Sequence, residues 1–194
     1  MRYIGESETP ALVSVADFKS AGHIGADDVV DDAPMESLLA VAQAVVCDAT
    51  GIPPAAGLYE FTWPVMGREW RRWWFPCRPV TGIVEVAVND ATGAFVAQSL
   101  DGMQLVQGYD EPQLLLPANW SGFGDDVHTI RIQATVGSDA PPPQLGQAIT
   151  LIAREWHNAG ILIEGEGPAP RLGFTGKRLI KQVRYARPRV AAPC

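Results

Sequence analysis

The stretch Pro141–Gly160, PPPQLGQAITLIAREWHNAG, decides how the rest of the chain is organised. Leu145, Ala148, Ile149, Ile152 and Trp156 recur at spacings of three and four, which gathers them into one stripe on an α-helix. Three prolines stand before it. They neither continue a preceding helix nor donate to a central strand, but the last of them suits a helix start. Gly160 follows, where a left-handed cap needs no Cβ. The stripe needs a partner. The best candidate lies far upstream, Met35 to Thr50, an Ala-rich helical segment opened near Pro34 and stopped by Thr50-Gly51-Ile52-Pro53-Pro54. Its expected apolar stripe is Leu38, Ala42, Val45 and Ala49, with Leu39 and Val46 beside it.

Everything between those helices reads as β-structure. Strands are expected at Leu58–Trp63, Trp70–Phe75, Ile83–Val88, Ala94–Gln98, Met103–Val106, Gln113–Leu116 and Val127–Val136. In the third, Val84, Val86 and Val88 are expected inward. In the last, Ile130, Ile132, Ala134 and Val136 point inward, and Thr129, Arg131, Gln133 and Thr135 outward. Asn89–Gly93 makes a hairpin turn. Ahead of the helices, Ser14 offers an N-cap to a short helix, Val15–Ser20, closing near Gly22. The fold class that follows is α+β: a small helical bundle body with an inserted β-rich sub-domain and a C-terminal helical arm. The expected division is an N-terminal extension at 1–12, a body at 13–160 with its insert at about 57–137, and a linker plus arm at 161–194.

With 194 residues, 47% hydrophobic and 19% charged, the chain has enough apolar surface for a real core. Cys47, Cys77 and Cys194 form no CxxC pair, so neither a zinc ribbon nor a disulfide framework is indicated. Cys47 reads as a small buried hydrophobe, and reduced cytosolic assembly fits this usage. The start, MRYIGESETP, lacks an apolar run behind a basic segment, so no signal peptide is expected. No stretch nears about eighteen consecutive apolar residues, so no membrane partner is expected.

Chemistry has little to stand on. The acidic run GADDVVDD at 25–32 lacks the glycine and glutamate of a calcium loop and reads as a solvated turn. His23, His128 and His157 fall on a loop, a strand and a helix with no ligating spacing. His157 reads as a helix-end residue complementing the dipole, and His128 as a cap on the inward face of its strand. No nucleophile elbow, Walker loop or dinucleotide fingerprint occurs. No catalytic residue, metal or cofactor is therefore expected. A small hydrolase working through His128 or His157 is the remaining enzymatic alternative.

Two features point to binding instead. Trp70 to Phe75 carries aromatics on both strand faces, Trp70 and Trp74 with Arg72 on one, Trp73 and Phe75 with Arg71 on the other. Either the strand is covered on both sides within one subunit, or a neighbouring copy covers the second face, making Trp70, Arg71, Arg72, Trp73 and Trp74 interface candidates. A third use of the tryptophans is a carbohydrate platform, as in a tail or baseplate binding module. The second feature is charge. The net charge of -7 argues against general nucleic-acid affinity. Yet seven of the 15 Lys and Arg lie beyond residue 170, behind the Gly/Pro-rich linker EGEGPAPRLG. Within this tail Gly176, Leu179, Ile180 and Val183 give an apolar side, and Lys177, Lys181 and Arg184 another. That suits an arm that orders on an acidic partner, and DNA phosphates are a second possible use of its arginines.

The order of parts resembles the head–tail connector (adaptor) proteins of tailed phages and related gene transfer agents. The parts are a short helix after VSVADFK, an acidic gap, an Ala-rich helix ending in ATG and a Trp-bearing strand. An RPVTGIVEV hairpin, a helix with REWHN and a basic C-terminal segment complete the order, over roughly residues 12–187. The resemblance implies a structural protein without catalysis: a homo-oligomeric ring of about twelve copies beneath the portal protein, continuing the DNA channel in the virion neck, assembled in the host cytoplasm. It implies a portal-docking arm, here Phe174, Lys177, Arg178, Leu179, Ile180, Lys181, Val183, Arg184, Tyr185, Arg187 and Arg189. The opposite face would receive a stopper or tail-completion protein. On this reading the arm is mobile until it meets the portal, and the ring closes through aromatic faces such as Trp70–Phe75.

Overall fold

The computed structural model describes residues 1–5, 9–25, 32–65, 71–108, 111–120, 129–160 and 172–184. The acidic run at 26–31, Trp70, His128, the linker at 161–171, and Tyr185, Arg187, Arg189 and Cys194 lie outside the described residues. The fold is α+β, and its described residues form two compact units. One comprises Pro10–Pro54 and Ala140–Tyr185; the other includes Met1–Thr9 and Ala55–Asp139.

The first unit is helical. Helix α1 (Val15–Gly22) begins with a reciprocal cap: Asp17 N–H donates to Ser14 Oγ at 3.1 Å, and Ser14 N–H donates to Asp17 Oδ2 at 3.4 Å, with the Ser14 hydroxyl donating to the same carboxylate at 2.6 Å. It ends at His23, which adopts the left-handed conformation (φ 55°) expected of Gly22's neighbourhood. Helix α2 (Asp32–Thr50) starts two residues before Pro34 and ends where Gly51 turns left-handed at φ 69° and donates to Cys47 O at 2.9 Å. Its buried stripe is Met35, Leu38, Leu39, Ala42, Val46, Cys47 and Thr50. Val45 and Ala49 are only partly buried, so the stripe lies rotated from the one expected. Helix α3 (Pro143–Asn158) takes Pro143 in its first turn and buries Leu145, Ala148, Ile149, Ile152, Ala153 and Trp156. Helix α4 (Phe174–Val183) completes the unit and packs on α2 and α3.

The second unit holds two antiparallel sheets. The larger has the order β1 (Arg2–Tyr3), β2 (Gly57–Pro64), β8 (Thr129–Val136), β4 (Val80–Asn89) and β5 (Phe95–Ala97). The smaller has the order β3 (Arg72–Trp74), β7 (Glu111–Leu115) and β6 (Gln104–Gly108). Strand β8 alternates as expected, with Ile130, Ile132, Ala134 and Val136 buried. The hairpin β4–β5 turns on Asp90, whose carboxylate accepts from the Thr92 hydroxyl and from the N–H groups of Thr92 and Ala94. Those hydrogen bonds, the Thr92 hydroxyl first, hold its pKa below the ordinary carboxylate value.

Strand β4 corrects one expectation. Val86 and Val88 are buried, but Val84 is 51% exposed. The β4–β8 ladder jumps from Ile83↔Ala134 to Glu85↔Gln133, leaving Val84 without a partner. One extra residue at such a bulge reverses the facing of the residues before it, and a second shift between Val80 and Gly82 reverses it again, so strict alternation fails along β4.

Candidate interaction surfaces

Helix α4 has two chemically distinct faces. Gly176 and Ile180 are buried, and Leu179 and Val183 are partly buried against the core of α2 and α3. A Cβ on Gly176 would sit 3.1 Å from Ile152 Cγ1, so the glycine sets how closely α4 lies on α3. At the helix start, Gly173 N–H donates to Glu155 Oε2 at 3.0 Å. A side chain at Gly173 would collide with that carboxylate. A carboxylate at a helix N-terminus also meets the positive end of the helix dipole. The apolar stripe expected to await a partner is therefore already covered within the helical unit. That corrects the picture of an unsupported arm: periodicity shows that a stripe exists, not what covers it.

The other face of α4 is open. Phe174 is 81% exposed, and Lys177, Arg178, Lys181 and Arg184 are all exposed. None of these four cations pairs with a carboxylate among the described residues. Phe174, Arg178 and Lys181 follow at spacings of four and three, so they share one side of the helix with their basic neighbours. Leu179, Ile180 and Val183, also expected in the docking segment, lie on the packed side.

The tryptophan strand divides in a similar way. Trp73 is buried at 5% exposure, and its ring stands edge-on to Phe75 at 4.4 Å and to Phe61 at 5.5 Å. Trp73 thus belongs to the core of the β unit, so its interface candidacy yields to packing. Arg72 is exposed and its guanidinium lies 5.8 Å from the half-buried Trp74 ring. Arg71 is half-buried, and its carbonyl accepts from Leu116 N–H at 2.9 Å. Trp156 is buried in the helical core, and among the described tryptophans Trp63 is the most open at 46%. No two exposed tryptophans stand together there, as a sugar platform needs.

Three features were not legible beforehand. On the outer face of the larger sheet, Arg131 reaches Glu85 at 2.6 Å and Glu60 at 3.9 Å, with Arg2 joining Glu60 at 3.2 Å. The Arg131 guanidinium also lies 4.7 Å from the Phe95 ring. In the helical unit, Lys19 is buried and forms an ion pair with Asp32. Between α1 and α3 runs an apolar groove of about 540 Å³, walled by Leu12, Val13, Pro143 and Leu151 with Asp17 and Arg154 at its rim. Each arises from register or helix placement, which single-chain periodicity does not carry. Glu60 on β2 and Arg131 on β8 lie far apart in sequence, with no local signal linking them.

The remaining titratable candidates sit in ordinary structural places. His23 caps α1, and His157 lies in the last turn of α3 with its ring 6.2 Å from Phe18. Cys47 and Cys77 are free and buried, and burial pushes both thiols up to about 12. Among the described residues, no three His, Cys, Asp or Glu side chains gather as a metal site would require. No described helix is long and apolar enough to cross a membrane.

No protein-family model matches the chain, and no curated protein matches it. Solved structures do. A chain from the neck of an empty GTA particle, computed with C6 symmetry, aligns with 100% of both chains covered, 23% identity and a TM-score of 0.69. A chain from the virion of a native gene transfer agent (GTA) particle aligns over 100% of both chains at 23% identity and a TM-score of 0.68. A chain from the neck of a native GTA particle, computed with C12 symmetry, also covers 100% of both at 22% identity and a TM-score of 0.62. This chain therefore shares, from end to end, the fold of chains found in gene transfer agent necks and virions.

Proposed function

We propose that this protein is a structural subunit of a virion neck, a head–tail connector that forms a ring under the portal protein and extends its DNA channel. The opposite side of the ring would receive a stopper or tail-completion protein. The observation that carries this reading is the likeness over the whole length of the chain to neck chains of gene transfer agent particles. A shared fold covering both the helical and the β unit is more specific than a likeness of either alone. The C6 and C12 symmetries with which those necks were computed support a ring, for which about twelve copies are assigned.

The open face of α4 supplies the docking chemistry. Phe174 gives an apolar anchor, and Lys177, Arg178 and Lys181 follow it along the helix as charges without a carboxylate partner among the described residues. An aromatic ringed by cations suits an acidic protein groove with a hydrophobic pocket. The portal is the partner assigned to it. The packed side of α4 stays on an α2–α3 seat, so docking through the open face need not uncover the helical core.

The test uses the exposed positions, because removing the whole tail would uncover the core. The variant Lys177→Glu/Arg178→Glu/Lys181→Glu is expected to keep its far-UV circular dichroism and to lose portal binding by at least about tenfold, each interfacial charge pair contributing on the order of 1 kcal/mol or more. Pull-down against purified portal reads this directly. Unchanged binding, or particles that assemble normally in the absence of this protein, would overturn the assignment.

A further inference from the structure

Everything that seats α4 lies on α2 and α3. Ile180 and its partly buried neighbours enter the helical core, Gly176 lies against Ile152, and Gly173 is held by Glu155. None of these contacts depends on α4 belonging to the same chain. Residues 161–171 connect Gly160 to Leu172 and span roughly 36 Å when extended, whereas α4 itself is roughly 15 Å long. A helix of ten residues does not hold its shape alone in water. Its helicity is therefore conferred by the seat. Gly176 and Ile180 are buried on it and Leu179 and Val183 partly so, and an identical seat on another copy restores all of these contacts.

We propose that α4 is exchanged between copies, each chain placing its helix on the α2–α3 seat of the next. The accepting surface is that of a second copy of this chain, because the seat and the helix are already fitted to each other. Exchange replaces every contact by its equal and links the copies without a new interface. Donating one helix and accepting one is a head-to-tail relation, which closes into a ring when the rotation between copies allows. The cationic face of α4 remains outward throughout, free for a third partner.

A disulfide placed across the seat distinguishes the two arrangements. In a Cys194→Ser background, Glu155→Cys/Gly173→Cys puts thiols where carboxylate and glycine now meet, and removes the collision equally for exchanged and unexchanged chains. Ile152→Cys/Gly176→Cys provides a second, deeper pair. Each full-length variant is concentrated, oxidised and run on a denaturing gel without reductant, with circular dichroism confirming the fold before oxidation. Exchange predicts a ladder of covalent dimers and larger species containing the bulk of the chains, collapsing to monomer on reduction. Cross-linked monomer alone, at every concentration, would overturn it. So would failure of both folded variants to form any bond, because the seat would then differ from the one described.

Discussion

Cys47 and Cys77 show how one side chain can be read wrongly or rightly by its surroundings. A thiol on a helix or in a proline-flanked link invites a redox or metal role. Both are buried, at 7% and 1% exposure, and burial raises each from 9.0 to about 12. For Cys47 the neighbouring Asp48 carboxylate adds to the rise. The thiolate is the reactive species, so neither should act as a nucleophile in the folded chain. In a Cys194→Ser protein at pH 8, an alkylating reagent should label neither thiol until denaturant is added. Rapid labelling of the native protein would refute the burial. The same shift carries a pH dependence. Below about pH 9 the thiols are neutral whether the chain is folded or not. As pH climbs from 9 toward 12, the unfolded chain ionises them while the folded chain does not. Stability should therefore fall in that window, measured as a lower denaturation midpoint at pH 10 than at pH 8.

At the level of elements, the helices and strand β8 were legible because their signals are local. Ser14 and Asp17 identify a helix start within four residues, and the alternation of Ile130, Ile132, Ala134 and Val136 needs no knowledge of a partner strand. Strand β4 was legible in place but not in phase. Its sequence, VTGIVEVAVN, alternates cleanly, yet the unpaired Val84 turns outward. The bulge depends on how β4 meets β8, a relation separated by more than forty residues of chain. The α4 stripe failed for a related reason: its apolar side was visible, but Ile152 and Glu155 as its partners were not. The bulge makes a sharp prediction. Val84→Thr should change stability by no more than about 0.5 kcal/mol, as surface substitutions do. Val86→Thr, at 0% exposure, should cost about 1–3 kcal/mol by burying an unsatisfied hydroxyl. Urea denaturation of the two variants compares them, and a larger loss for Val84→Thr would reject the register.

The described residues of the molecule form two hydrophobic cores with no side chain common to both. One gathers Phe18, Met35, Ile149, Ile152 and Trp156; the other gathers Phe61, Trp73, Phe75, Val86 and Ile132. The chain leaves the helical unit after Pro54 and returns to it at Ala140, so each unit draws on distant parts of the sequence. In the proposed neck role, such an arrangement would let a surface on one unit change while the other keeps its packing. Each core should then respond to its own cavity. Ile149→Ala and Ile132→Ala each remove buried methylenes, and each should cost about 2–5 kcal/mol in the unit that contains it. Native-state amide exchange locates the loss. With Ile149→Ala, protection should drop across α2 and α3 while β8 stays slow; with Ile132→Ala, β8, β2 and β4 should quicken while α3 stays slow. The double variant should show the two patterns superposed, as expected for sites without shared partners. If either substitution alone accelerated exchange equally in α3 and β8, the chain would open as a single cooperative block, and its two cores would have to be treated as one.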